Sequence, residues 1–116
     1  MDVFKHERQE AFQASLELVA ALDRLTRGVS QNRTPASEQL TGLALIVVRE
    51  TAAGLGLSGP DGQSSLRTAL SSTLQVAGLL DVVRTLRLTD DDSIAVCRQI
   101  ALRIAGLLEA HTGGKS

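Results

Sequence analysis

Apolar positions along this chain recur every three or four residues over four long stretches, which three clusters of breakers, at 28–35, 54–62 and 88–92, hold apart. That spacing marks a helix with one face turned inward, and no stretch shows the alternation of a strand with a partner to pair with. The pattern predicts an all-α chain, an antiparallel up-down-up-down four-helix bundle. Residues 1–111 are expected to form a single domain and 112–116 a disordered tail.

The first helix is expected over 3–27. Spacing by seven puts Phe4, Ala11, Leu18 and Leu25 on one line and Ser15, Leu22 and Val29 on the next, the a/d arrangement of a packed helix. Phe12, Leu16 and Val19 widen the apolar face, while Glu7, Glu10, Glu17 and Asp23 are left to water. A face that wide predicts more than one packing partner. The second helix starts at Thr34-Pro35, a hydroxyl cap followed by a proline, with Glu38 in the first turn facing the positive end of the dipole and Ser37 as a competing cap. Leu40, Leu43, Ala44, Val47, Val48 and Thr51 share one side, but Leu45 and Ile46 make its middle apolar all round. In so small a domain such a helix is either central or covered by another subunit. Phe12, Leu16, Leu45 and Ile46 are therefore the expected interface between copies.

The run GLGLSGPDG at 54–62 reads as a flexible interhelix loop. A phosphate-binding loop would need Lys and Ser/Thr after its last glycine, and a dinucleotide fingerprint would need a preceding strand. The third helix is expected over 64–86, with Leu66, Leu70, Thr73, Ala77, Leu80 and Val83 inward and with Ser71, Ser72, Thr73, Ala77 and Gly78 small enough to admit a second helix. Arg84 and Arg87 close it, and Asp90, Asp91 and Asp92 open a fourth helix over 91–110, each group answering the helix dipole. Consecutive aspartates lack the alternating spacing of a calcium loop. Ile94, Cys97, Ala101, Ile104 and Leu108 form the last stripe.

Composition narrows the chemistry. The 116 residues are 43% hydrophobic with only Phe4 and Phe12 aromatic, so Leu, Val, Ile and Ala must build the core. A formal net charge of -1 removes the global attraction to phosphate of a dedicated nucleic-acid binder. The lone cysteine, Cys97, lies on a core stripe and reads as a buried, inert thiol. His6 and His111 stand near the chain ends, outside any Glu-x-x-His pattern, and are expected to be solvated. No catalytic, cofactor or metal constellation emerges, so an enzyme is not expected. No run approaches the ~20 apolar residues of a membrane span, and no signal segment is evident, which points to the cytoplasm.

The segment EQLTGLALIVVRETAAG at 38–54 resembles the second helix of the bacterial four-helix-bundle proteins first noted as products of intervening sequences in large-subunit ribosomal RNA genes. Their usual form reads approximately SQIRRAAVSVPSNIAEG, and Gln39, Leu40, Ala44, Val47, Ala52 and Gly54 fall on identical or like residues. Phe4-Lys5, Leu25-Thr26 and Leu70-Ser71 extend the match, which covers residues 3–108 in helix order. Thr41 and Gly42 stand where that family has arginines, Val48 where it has proline, and Arg49-Glu50 where it has Ser-Asn. The family includes the accessory variability protein of diversity-generating retroelements, a homopentameric barrel whose basic surface works with reverse transcriptase and nucleic acid. The resemblance thus implies the bundle and self-association.

The leading expectation is a non-enzymatic homo-oligomeric module, pentameric by resemblance, acting as an assembly or adaptor protein with itself and a further protein as partners. The alternative is a nucleic-acid-binding accessory of a reverse transcriptase. Its candidate phosphate contacts are Arg24, Arg27, Arg49, Arg84, Arg87, Arg98 and Arg103, since arginine binds phosphate bidentately.

Overall fold

Four helices follow the apolar stripes: α1 at Val3–Gly28, α2 at Pro35–Gly56, α3 at Gly59–Thr85 and α4 at Asp91–His111. The computed structural model describes residues 3–28, 35–57 and 59–112, with side-chain surroundings from Glu10 onward. The side chains of Phe4, His6 and Glu7, the residues Val29 and Thr34, and the tail beyond Thr112 lie outside the described residues.

Each helix packs on the two beside it in chain order, α1 on α2 and α4, and α3 on α2 and α4. The diagonal pairs do not meet among the described residues. Side-chain neighbours fix the alternating directions. Asp23 and Arg27 near the end of α1 share a groove with Ser37 and Glu38 at the start of α2. At the opposite end, Gln63 in the first turns of α3 donates 3.0 Å to the carbonyl of His111, the last residue of α4. The fold is the expected four-helix bundle, and no strand occurs among the described residues.

The core follows the expected stripes, with Leu43, Val48 and Leu70, expected inward, only half-buried. Leu18, Leu22, Leu25, Leu40, Val47, Leu80, Val83, Ile94, Ile104 and Leu108 are buried along the axis, and Ala11, Ala14, Ala44, Ala69 and Ala101 let the helices approach. Polar residues on these stripes bond to their own helix: Ser15 donates to the Phe12 carbonyl at 2.6 Å and Thr73 to the Ala69 carbonyl at 2.7 Å. Thr51 is the exception. Its side chain is fully buried and its hydroxyl finds no partner among the described residues. Thr51→Val keeps the shape and removes the unpaired hydroxyl, so it should raise the unfolding free energy by about 1 kcal/mol, measured by urea denaturation.

The connection between α2 and α3 corrects the sequence expectation. The run 54–62 is not a loop: Gly54–Gly56 closes α2, Gly59–Gly62 opens α3, and only residues 57 and 58 lie between. Gly59 has φ of 71°, where a side chain would be strained, and Pro60 presets the first turn of α3. Gly54 and Gly62 face one another so closely that a β-carbon on Gly62 would lie 3.0 Å from the Gly54 carbonyl oxygen. The glycines therefore serve a helix crossing. Ser37 also proves to lie inside α2 as its third residue and is not its cap. Ser71 and Gly78 are exposed, and among the described residues nothing lies within 4 Å of where a β-carbon on Gly78 would be.

The turn from α3 to α4 is a Schellman motif. Leu88 N–H donates to Val83 O at 3.1 Å and Arg87 N–H to Arg84 O at 3.0 Å, with Arg87 at φ 53° in the left-handed position usually held by glycine. Arg87→Gly should raise stability by roughly 1 kcal/mol, the left-handed penalty of a residue bearing a β-carbon, visible as a higher urea midpoint. Asp90 then caps α4, accepting from Ser93 N–H at 2.9 Å and from the Ser93 hydroxyl. Those bonds hold its carboxyl below the usual range. At the other end, Thr112, expected in the tail, caps α4 by donating its N–H to Leu108 O at 2.9 Å.

Candidate interaction surface

The four residues expected at an interface between copies do not share one face. Phe12 and Leu16 stand on the flank of α1 that turns to α2, and Leu45 follows Ala44 on the flank of α2 that turns to α1. Between them runs a shallow groove of about 280 Å³, lined by Leu16, Val19, Ala20, Leu22, Asp23, Thr41 and Ala44. Ile46, one residue on from Leu45, is carried about 100° round the helix, to the side of the fully buried Val47 away from α1. It is half-buried there. The all-round apolar middle of α2 thus resolves into a core line, an α3 flank and an outward ridge.

Leu16 and Leu45 remain 43% and 56% exposed, although the rest of their helices buries its large apolar side chains well. A second pair stands on the far side of the bundle, Leu74 on α3 at 51% and Leu102 on α4 at 50%. Both belong to the α3/α4 edge. Leu74 precedes Asp81 by two turns and Leu102 follows Arg98 by one, and Asp81 and Arg98 face each other at 3.4 Å. The sequence reading passed over this pair. The signal available was that both leucines stand off the core stripes of their helices.

The arginines are scattered. Arg27 pairs with Asp23 at 3.1 Å, Arg49 with Glu50 at 3.1 Å, Arg98 with Asp81 at 3.4 Å and Arg103 with Glu17 at 3.1 Å. Exposed pairs of this kind are worth about 0–1 kcal/mol each, and each occupies a guanidinium with a carboxylate. Arg24, Arg27, Arg84 and Arg87 collect at one end of the bundle, but Asp23, Glu38, Asp90, Asp91 and Asp92 stand at the same end. A single copy therefore presents no basic face made of these residues. The polar groove beside them, about 480 Å³ and lined by Asp23, Thr26, Arg27, Ser37, Glu38 and Thr41, carries both signs of charge.

Cys97 is 1% exposed on the α4 core stripe. Burial pushes its thiol up to about 11, and the positive charge of Arg24 opposes that shift. A thiol raised in the folded state stays neutral where the unfolded thiol, near 9.0, has already ionised. The stability it supports is complete below pH 9.0 and is lost as pH rises through about 11. The loss across that window should approach ~2–3 kcal/mol, measured as the difference between wild type and Cys97→Ala in urea denaturation from pH 8 to 11. His111 also departs from expectation. It is half-buried, and its imidazole Nε2 is enclosed without a partner among the described residues. The early start of α3 brings Gln63 against it.

Among the described residues no group of three or more His, Cys, Asp or Glu is arranged to hold a metal ion, and no helix is long and apolar enough to cross a membrane. Neither a family model nor a curated protein matches the chain. Among solved structures, it is similar to a protein of unknown function of the S23 ribosomal protein family from Bacteroides thetaiotaomicron. The two superpose with a TM-score of 0.83 over 91% of this chain and 97% of that one, at 14% identity. At that identity the likeness is one of fold: this chain has the helical bundle of an S23-family protein.

Proposed function

We propose that this chain is a non-enzymatic helical module that assembles with copies of itself in the cytoplasm and serves as an assembly or adaptor platform. A ring of about five copies is what the resemblance of its second helix implies. The observation that carries the reading is the exposure of Leu16 and Leu45, 43% and 56%, along the ridge beside the α1/α2 groove. Burying that ridge against another copy removes apolar surface from water at ~25 cal/mol per Å². The test is solution mass by light scattering at tens of micromolar, in low and high salt. An oligomer that persists in high salt supports apolar assembly, and a folded monomer overturns it.

The nucleic-acid reading is weighed in the same experiment by adding a structured RNA. Binding that weakens steeply with salt would favour it. The carboxylates interleaved with Arg24, Arg27, Arg84 and Arg87 weigh against it.

A further inference from the structure

We draw no further inference here: the strongest candidate, the apolar α3/α4 edge on which Leu74 and Leu102 stand half-exposed beside Gly78 and Gly106, carries nothing, because nothing in the structure shows what covers it and the Asp81–Arg98 pair beside it favours neither an acidic nor a basic partner.

Discussion

Gly62→Ala should lower the unfolding free energy by about 2–3 kcal/mol, and the melting temperature by roughly 10 °C. A β-carbon there would sit 2.5 Å from the Leu57 carbonyl oxygen, 3.0 Å from that of Gly54 and 3.1 Å from the Leu57 carbonyl carbon. All three are backbone atoms, two in the short connection at residue 57 and one in the last turn of α2, so relief requires shifting that connection together with the end of α2. Alanine's better helix propensity, worth up to about 1 kcal/mol, offsets part of the clash and leaves a net loss. Gly54→Ala should cost less, because its nearest obstacles, at 2.5 and 2.6 Å, are side-chain atoms of Leu66, which can turn aside. Gly78→Ala, in open space on the same helix, isolates the propensity term and should stabilise. Urea denaturation of the three variants at concentrations below self-association decides the point. Equal effects at Gly62 and Gly78 would mean that the helices do not cross so closely.

That crossing marks where the sequence stopped being legible. Gly, Pro, Asp and Gly in succession favour a turn and equally favour the first turn of a helix, and only the approach of α2 to α3 tells the two apart. Where the signal was periodic, it held. Ala11, Leu18, Leu25, Ser15 and Leu22 on α1, and Ile94, Cys97, Ala101, Ile104 and Leu108 on α4, are all buried as their spacing requires. Periodicity reports which side of a helix turns inward and says little about what meets the other side. The expected interface therefore split, with Leu16 and Leu45 beside one groove and Ile46 carried round to the opposite flank of α2. The smallness of Ser71 and Gly78 was likewise visible, but their exposure in the folded bundle was not. The arginines could be counted in the sequence, while the pairing of Arg98 with Asp81 and of Arg103 with Glu17 needed the register between helices.

Leu18 and Leu16, two residues apart on α1, should separate folding from assembly. Leu18 is fully buried in a core whose alanines, Ala14, Ala21 and Ala44 among them, already bring the helices close. Backbones at that separation have little room to collapse further, so Leu18→Ala leaves a cavity and should cost about 3–5 kcal/mol at every protein concentration. For a domain whose total stability is typically about 5–15 kcal/mol, that loss leaves the chain near unfolding. Leu16 is 43% exposed, and its truncation should cost the isolated chain less than about 0.5 kcal/mol. Assembly adds stability only to the folded state and grows with concentration. Leu16→Ala should consequently match wild type in dilute solution and fall behind it as wild type assembles, whereas the deficit of Leu18→Ala should already be present at the lowest concentration. The measurement is the urea midpoint of each protein across a hundredfold range of concentration. A Leu16→Ala deficit that is large and independent of concentration would place Leu16 in the core of the single bundle and take the α1/α2 edge out of the interface.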